Sequence, residues 1–258
     1  MKKKFAMTSN VQRFLAGIDV VGARGAGEAG MLLVYGEPGY GKSRTAKWWA
    51  LRREVDAIHL TGRQTWTPHW AMTDLVAALG EEPQRTNEQL YAQALRVLSR
   101  THQPIVIDEA ENTLPDHAAV LNTFRDLTDF LETTLVLVGT GELEKAIKNY
   151  RQISSRIADK VQFLPATVGD VATMCRDLCE VGVSDDLVEE IHYHTNGRVR
   201  EIMNAIDRVE RFGKDNNLAT VTRAAMAGRE IINNWQTKKE SKVRPVQTAL
   251  RAVQGGGK

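Results

Sequence analysis

Five short apolar runs, separated by segments with helical spacing, dominate the first two thirds of the chain. The runs are MLLVYG (31–36), AIHLTG (57–62), PIVIDEA (104–110), TTLVLVGT (133–140) and KVQFLPA (160–166). Runs of this length with few polar residues are typical of strands that are covered on both faces of a parallel sheet. A helical segment, SRTAKWWALRR, follows the first run directly. The alternation therefore predicts an α/β fold in which a five-stranded parallel sheet is flanked by helices.

The strand pattern stops near residue 167. Three helical patterns follow, DVATMCRDLCEVG, SDDLVEEIHYHT and GRVREIMNAIDRVERFG, and Ser184 is placed to cap the second of them. These segments predict a small C-terminal helical subdomain. We therefore expect an α/β subdomain at 1–166, a helical lid at 167–236 and a basic tail at 237–258.

Charge is distributed unevenly along the chain. Residues 237–258 hold six Lys or Arg and one Glu, a net charge of +5, whereas the other 236 residues hold 28 basic and 31 acidic side chains and sum to −3. A body with this balance would bind nucleic acid only through a local patch, or through one assembled from several subunits. The tail places Val246, Ala249, Leu250 and Val253 on one helical face after Pro245, which indicates either a docking helix or a solvated basic tail.

The composition is that of a soluble globular protein, with 42% apolar and 26% charged residues. No stretch approaches the roughly 20 apolar residues of a membrane span, and no apolar run of signal-peptide length follows the basic start. We therefore expect a cytoplasmic protein without a membrane partner. Cys175 and Cys179 lie four residues apart with no second ligand pair, which favours buried thiols over a metal site.

The octapeptide GEPGYGKS (36–43) fills every fixed position of the phosphate-binding pattern G-x-x-x-x-G-K-[ST]. A Gly-rich turn between a buried strand and a helix can wrap its N–H groups around phosphates at the helix N-terminus. Lys42 is therefore predicted to contact the β and γ phosphates of ATP, and Ser43 to ligate Mg²⁺. The predicted nucleotide-binding residues are Gly36, Glu37, Pro38, Gly39, Tyr40, Gly41, Lys42, Ser43 and Arg44.

The run IVIDEAE contributes the acidic half of the predicted site. Asp108 ends a buried strand, where a carboxylate is costly unless it faces a metal or another partner. It is predicted to hold Mg²⁺, while Glu109 orients and deprotonates the attacking water. Thr140 follows LVLVG at the strand end where ligands of such sheets gather, so its hydroxyl either positions the water and senses the γ-phosphate or only begins the next turn.

A family resemblance follows from these motifs. GEPGYGKS, IVIDEAE, LVLVGT, SSRIADKVQF and GRVREI occur in the order and spacing of AAA+ ATPases. Within that class the chain is most similar to the transposition ATPases of the phage Mu B family, through overall order, compactness and the TGRQTW region. The resemblance implies ATP and Mg²⁺ as cofactors, slow hydrolysis, and self-association into rings or helical filaments on double-stranded DNA. It also implies a transposase partner and a bacterial host cell.

The resemblance also assigns roles to four arginines. Arg156 in SSRI matches the position from which AAA+ proteins reach the ATP of a neighbouring subunit, with Arg151 as the alternative. Arg200 matches the second sensor in the lid, and Arg198 lies close to it in sequence. A cation at the γ-phosphate would stabilise the charge of phosphoryl transfer. The alternative is that these are solvated helix arginines paired with nearby acids.

The stretch LTGRQTWTPHW (60–70), after the second strand, is the predicted DNA contact. It contains basic and aromatic residues and no acid, and in related ATPases this region faces the channel of a ring or filament. Arg63 is predicted to contact phosphate, while Gln64, Thr65 and Thr67 add hydrogen bonds that do not read sequence. The alternative is that both tryptophans of this stretch belong to the core, and we expect at least one to be buried.

Together these features predict an ATP-dependent, largely sequence-neutral DNA-binding ATPase that assembles on target DNA and activates or directs a transposase. An initiator or helicase loader is one alternative, although the roughly 45 residues after Gly213 leave little room for the winged helix that initiators append. A nucleotide switch that acts on a protein without DNA is another. We expect no separate N-terminal DNA-binding domain, because few residues precede the ATPase motifs.

Overall fold

The computed structural model describes residues 1–23 and 30–232. The strands are β1 Met31–Gly36, β2 Ile58–Thr61, β3 Ile105–Asp108, β4 Leu135–Gly139, β5 Ile157–Phe163, β6 Gly182–Val183 and β7 Thr220–Val221. The helices are α1 Ser9–Gly22, α2 Lys42–Ala50, α3 Pro68–Ala78, α4 Asn87–Thr101, α5 Pro115–Leu131, α6 Gly141–Ile147, α7 Arg151–Ser154, α8 Val168–Leu178, α9 Asp185–Thr195 and α10 Val199–Asp215, with a 3₁₀ helix at Ala110–Thr113. The predicted basic tail at 237–258, with its docking helix, lies outside the described residues.

The central sheet consists of five parallel strands in the order β2-β3-β4-β1-β5. At its centre, Leu33 of β1 pairs with Leu137 of β4, and Val34 pairs with Val138. All four side chains are fully buried, because helices cover both faces and leave no side of these strands in water. The predicted α/β fold with a five-stranded parallel sheet is confirmed.

The fifth strand begins and ends earlier than predicted. β5 runs from Ile157 to Phe163, whereas the apolar pattern predicted a strand at 160–166. Among the described strands, β5 lies at an edge of the sheet and hydrogen-bonds to β1 alone, and none of its first four residues is fully buried. An edge strand with this exposure needs no apolar run, so its start carries no hydrophobic signal.

Two hydrophobic layers cover the sheet. On one side, Leu32 and Val34 of β1 pack with Phe14 of α1 and Trp49 of α2. On the other side, Met31 and Leu33 belong to a larger core built with α3, α4 and α5. Alternate residues of one strand thus serve opposite layers, as the two-residue period of a strand requires. α1, which none of the sequence patterns predicted, completes the first layer.

The helical part beyond residue 167 has a hydrophobic core of its own. It includes Val171, Ile191 and Ile206, from α8, α9 and α10. The short strands β6 and β7 pair in parallel beside these helices, beyond the point at which the strand pattern of the sequence stops. Two-residue strands show no periodicity, which explains why the sequence did not indicate them. In the described ranges, no helix combines the length and apolar character needed to cross a membrane.

Both cysteines lie in this helical core. Cys175 and Cys179 are buried, free thiols, as predicted. Burial raises the pKa of Cys175 to about 12. A thiol with that pKa stays protonated at neutral pH, so this side chain behaves as a small apolar group.

Candidate nucleotide-binding site

The Gly-rich loop lies between the end of β1 and the first turn of α2. Gly36 has φ +151°, and a Cβ at this position would approach the carbonyl oxygen of Phe163 to 2.5 Å. Gly41, with φ +92°, occupies the N-cap of α2 in the left-handed conformation. Only glycine adopts both geometries without strain. The loop therefore presents backbone N–H groups at a helix N-terminus, which is an anion-binding arrangement.

Lys42 is held inside this loop. Its side chain is 8% exposed, and Nζ donates hydrogen bonds to the carbonyl oxygens of Gly36 at 2.7 Å and Glu37 at 3.0 Å. Burial lowers the pKa of Lys42, and the carboxylates of Glu111, Asp108 and Glu37, in that order of strength, oppose the lowering. The ammonium group is thus fixed beside the loop, close to two carboxylates of the IVIDEAE segment.

The acidic side of the site begins at the end of β3. Asp108 is 8% exposed, and its Oδ1 accepts a hydrogen bond from the backbone N–H of Glu109 at 2.9 Å. Glu109 has φ +52°, a conformation that is uncommon for a residue with a side chain, and its side chain is exposed. The chain therefore turns sharply at Glu109, which separates a buried carboxylate from an accessible one.

Two hydroxyl groups follow the next two strands of the sheet beyond β3, β4 and β1. Ser43 is the second residue of α2 and is exposed, and Thr140 is the N-cap of α6, where its side chain makes no capping hydrogen bond. Neither hydroxyl has a hydrogen-bond partner among the residues that the structure describes. Hydroxyl and carboxylate oxygens are ligands that suit Mg²⁺. Ser43 and Asp108 therefore fit a magnesium site by their chemistry, and the Ser43 hydroxyl would break no hydrogen bond to the described residues on binding it.

Glu111 was quoted in the IVIDEAE motif, but the sequence argument gave it no role. Its Oε2 is buried and has no hydrogen-bond partner within the described residues. The same oxygen lies against Gly139, where a Cβ would approach it to 2.3 Å. The signal in the sequence was its spacing, three residues after Asp108, on the short 3₁₀ helix that follows β3.

Asn112 links this turn to the stretch at 60–70. Its side-chain amide donates to the carbonyl oxygen of Gly62 at 3.0 Å, and the Gly62 N–H donates to the Asp108 carbonyl at 2.7 Å. The Asn112 N–H in turn donates to the Glu109 carbonyl at 3.0 Å. Nothing local in the sequence could indicate a contact between positions 50 residues apart. The structure thus joins the predicted DNA contact to the residue predicted to activate water.

Arg156 and Arg151 lie at the N-terminal ends of the parallel strands, whereas the Gly-rich loop lies at their C-terminal ends. The loop follows the C-terminal end of β1, whereas Arg156 immediately precedes β5, which is parallel to β1. The six residues of β1 separate these two ends of the sheet by about 20 Å. Arg156 pairs with Asp129, Nε to Oδ2, at 2.8 Å, and Arg151 is exposed without a side-chain partner in the described ranges. Neither arginine can therefore reach the phosphate loop of its own chain.

The start of α10 lies on the Gly-rich loop. The Arg200 N–H donates to the Gly39 carbonyl at 3.2 Å, and a Cβ on Gly41 would lie 3.4 Å from Val199. The Arg198 guanidinium is 3.6 Å from the carboxylate of Glu201. Arg200 is exposed, and its side chain has no partner in the part of the chain that the structure describes. Of the two candidates for the second sensor, Arg200 is thus the one with a free side chain.

A small cleft lies between the N-terminal segment, the Gly-rich loop and the helical part. Phe5, Tyr40, Met174 and Met203 are among its lining residues, together with Arg44. The N-terminal segment and the helical part therefore both approach the Gly-rich loop, and they surround it with mainly apolar side chains. The sequence indicated the loop residues of this cleft but not the contribution of the N-terminal segment or α8.

The stretch at 60–70 combines a buried tryptophan with an exposed one. Trp66 is 7% exposed, packs against Phe124 with ring centroids 6.1 Å apart, and donates to Asp74 at 2.9 Å. Trp70 is 39% exposed, and the Arg63 guanidinium lies 5.3 Å from its ring centroid. The expectation that at least one tryptophan is buried is confirmed.

The predicted DNA-contacting residues occupy different environments in this stretch. Arg63 is also 3.6 Å from the carboxylate of Asp74, and both side chains are partly exposed. Gln64 and Thr65 are exposed. Thr67 is the N-cap of α3, and its hydroxyl oxygen accepts the Trp70 N–H at 3.2 Å. All four side chains are therefore accessible to a ligand, and that of Thr67 also caps a helix.

Comparisons with known proteins support the fold. An AAA domain family model matches residues 24–147, just under half of the chain. The ORC1 protein of Aeropyrum pernix, solved in complex with DNA, is similar with a TM-score of 0.61 and 17% identity over 87% of this chain and 64% of that one. The ORC2 protein of the same organism, solved as ADPNP–ADP complexes, gives 0.64 and 12% over 87% and 68%. RuvB of Thermotoga maritima gives 0.55 and 17% over 84% and 67%.

The sheet order, the Gly-rich loop and these similarities together define the fold class of the protein. The protein has the P-loop AAA+ fold. The chain spans about two thirds of the length of the solved proteins above, and 64% of the first. No curated protein sequence matches it.

Proposed function

We propose that this protein is an ATP-hydrolysing AAA+ ATPase that binds DNA largely without sequence preference, assembles on target DNA and activates or directs a transposase. The observation that carries the ATPase part is the position of Lys42, which is buried in the Gly-rich loop close to Asp108 and Glu111. A cation and carboxylates gathered at the end of a P-loop strand are the groups that phosphoryl transfer uses. The DNA and transposase parts extend this site through the resemblance to the Mu B family.

Each residue of the site has a distinct task in this proposal. Lys42 would exchange its two carbonyl acceptors for the β and γ phosphate oxygens of ATP. Ser43 and Asp108 would hold Mg²⁺, which neutralises developing charge on the phosphates when it is bound. Glu109, with its exposed carboxylate, would accept the proton of the attacking water, and the free Thr140 hydroxyl would orient that water.

The four arginines divide between neighbouring subunits and the same chain. Arg156, or Arg151 beside it, would reach the γ-phosphate of an adjacent subunit, because neither can approach the loop of its own chain. Arg200 would contact the nucleotide from residues 167–232, which we propose act as a lid. Hydrolysis would then require self-association in rings or filaments, and Arg156 would have to leave Asp129 on assembly.

DNA binding is proposed for the exposed side of the stretch at 60–70, with Arg63 on a phosphate and Gln64 and Thr65 beside it. Contacts of this kind fix the protein on the duplex without reading bases. The ORC1 structure is of a protein in complex with DNA, and at 17% identity this supports the fold alone. The contact between Asn112 and Gly62 supplies a physical route by which DNA could influence Glu109.

Electron microscopy of the full chain with duplex DNA tests the proposal as a whole. With ATP we expect rings or filaments that enclose DNA, and with Lys42→Ala we expect none. A transposase assay then separates the roles. ATP-dependent assembly on DNA without any effect on strand transfer by a co-encoded transposase would favour an initiator or loader, and ATP turnover without DNA binding would favour a switch that acts on a protein.

A further inference from the structure

We propose that residues 1–18 and 38–53 form a second DNA-binding surface, here named the α2 basic face, which contacts the phosphate backbone of duplex DNA. This inference deepens the DNA-binding part of the proposed function and rests on it. It assigns to these segments a contact separate from the stretch at 60–70.

The two segments are free of acidic residues. They contain nine basic residues and no Asp or Glu, although the chain outside the tail is slightly acidic. Lys42 is buried in the Gly-rich loop and Arg52 is half-buried, whereas the other seven side chains are exposed. The nine residues are Lys2, Lys3, Lys4, Arg13, Lys42, Arg44, Lys47, Arg52 and Arg53.

Aromatic contacts hold the two segments together. Phe5 stacks on Trp48 with ring centroids 4.2 Å apart and an interplanar angle of 6°. One layer further in, Phe14 packs edge-on against Trp49 at 5.7 Å. The lysines that precede Phe5 are therefore brought beside α2, which they could not be expected to meet from their separation of about 40 residues in the sequence.

Two arginines extend the aromatic pair on either side. The Arg44 guanidinium lies 5.9 Å from the centroid of Phe5, and that of Arg52 lies 5.3 Å from the centroid of Trp48. Guanidinium groups over aromatic faces are partly ordered before any ligand arrives. The face thus combines cations that are already positioned with exposed cations around them.

Few acids neutralise this face. Lys3, Lys4, Lys47 and Arg53 have no ion pair within the described residues. Of the acids near the two segments, Glu54 pairs with Arg52, and Glu180 and Glu210 pair with the Met1 ammonium. Elsewhere on the molecule, exposed cations commonly have partners, as in Arg96–Glu81, Lys148–Glu144 and Arg211–Asp207. Concentrated like charge repels itself, so a surface of this kind gains most from a polyanion.

Duplex DNA fits the face better than single-stranded nucleic acid. Phe5 and Trp48 are stacked on each other, so neither offers a free ring on which an unpaired base could stack. What remains accessible is positive charge, which suits backbone phosphates and gives no sequence preference. Arg63, by comparison, already contacts Asp74 and Trp70.

A matched pair of double variants tests the proposal in the full chain. Lys47→Gln/Arg53→Gln removes two cations of the α2 basic face that have no ion pair among the described residues, without touching Arg44, which lines the cleft beside the Gly-rich loop. Arg100→Gln/Lys145→Gln removes two exposed cations from α4 and α6 that likewise lack an ion pair in the described ranges. Affinity for a fluorescent duplex, too short for more than one subunit, is measured by anisotropy over a series of salt concentrations at saturating ATP.

We expect only the first pair to reduce the salt dependence. Each phosphate contact contributes about 0.9 to the slope of log affinity against log salt, so the slope should fall by up to about 2. Between about 50 and about 200 mM salt, the loss of affinity should then be about tenfold smaller than for the unaltered protein. ATP turnover without DNA should be unchanged in both pairs.

Several results would overturn the proposal. One is an unaltered slope in Lys47→Gln/Arg53→Gln, or an equal reduction in the control pair. Another is weaker self-association without DNA while short-duplex binding stays intact, which would make the face a subunit contact. Loss of binding to polyglutamate, with DNA affinity unchanged, would identify a site for an acidic protein.

A parallel Arg63→Ala variant separates failure of this inference from failure of the proposed function. If Arg63→Ala reduces the slope and the α2 pair does not, DNA binding stands and the α2 basic face is wrong. If only the α2 pair reduces it, the face stands and the contact proposed for the stretch at 60–70 is wrong. An unaltered protein that binds no duplex at any salt concentration overturns both.

Discussion

The buried centre of the nucleotide site and the exposed arginines Arg156 and Arg63 differ in how their side chains are held. Lys42 and Asp108 are each 8% exposed and are held by hydrogen bonds from their own chain. Arg156 and Arg63 have side chains that are 46% and 54% exposed, and each rests on a single partly exposed acid. Exposed ion pairs of this kind contribute little to stability. In the proposed function, the centre therefore belongs to one chain, whereas Arg156 and Arg63 act only when a second molecule replaces their acid partners.

The largest expected effect comes from the centre. Lys42→Ala should weaken ATP binding by at least about 100-fold, because it removes charge-assisted hydrogen bonds worth about 3 kcal/mol together. Assembly on DNA should be lost with it. Binding of a fluorescent ATP analogue and sedimentation with DNA measure both effects, and normal assembly despite lost ATP binding would contradict the link between them.

Arg156→Ala tests the other side of the comparison. ATP binding by the monomer should be unchanged, while turnover in the assembled protein should fall by about 10³-fold, the scale of an arginine supplied by a neighbour. Mixing provides the control, since Arg156→Ala subunits combined with Glu109→Gln subunits should recover part of the turnover through shared sites. Absence of recovery at every ratio would indicate a site built within one chain.

Glu109→Gln should separate binding from hydrolysis within the centre. Loss of a general base costs about 10² to 10⁴ in rate, whereas the phosphate contacts of the loop remain. Complexes with DNA should therefore outlive those of the unaltered protein at saturating ATP. Equally fast dissociation, measured by challenge with unlabelled DNA, would show that hydrolysis does not control release.

A third region, the junction between α1 and the helical part, resembles the buried centre because hydrogen bonds within the chain hold its carboxylate. Asp170 accepts hydrogen bonds from the N–H and hydroxyl of Ser9, at 2.6 and 2.7 Å, and of Thr167, at 2.9 and 3.0 Å. Burial acts to raise the pKa of Asp170, but these hydrogen bonds more than offset it, and the pKa lies below its usual value. Asp170→Asn should lower the free energy of unfolding by about 1–3 kcal/mol.

The effect of Asp170→Asn on the free energy of unfolding should depend on pH, because folding lowers the pKa of Asp170. A carboxyl group whose pKa is lowered by folding stabilises the protein above its unfolded pKa, and this contribution disappears as the pH falls through the folded value. The difference in free energy of unfolding between Asp170→Asn and the unaltered protein should thus be largest at neutral pH and decrease as the pH falls. Urea unfolding over a pH series measures it, and a constant difference would assign the effect to packing.

The smallest expected effect is that of Arg63→Ala. Its phosphate contact would release about one counterion, so the salt slope should fall by about 1 and affinity should weaken alike for all sequences. Anisotropy titrations with several unrelated duplexes measure this. An unchanged affinity at every salt concentration would return Arg63 to a loop residue held by Asp74 and Trp70.

The sequence by itself determined the parts that local patterns encode. The five strands of the central sheet followed from continuous apolar runs, because strands covered on both faces exclude polar residues. The Gly-rich loop followed from fixed spacing, since positive φ at Gly41 and close approach at Gly36 require glycine. Asp108 could be singled out because a carboxylate at the end of a buried strand needs a partner.

Only the tertiary structure decided which distant segments meet. The link between Asn112 and Gly62 and the stack of Phe5 on Trp48 join residues about 50 and 40 positions apart, and such contacts leave no periodic pattern. The same holds for the placement of Arg156 at the end of the sheet opposite the Gly-rich loop, because strand order and direction fix it. Local propensity sets the elements, whereas packing of the whole chain sets their neighbours, and the candidate site depends on both.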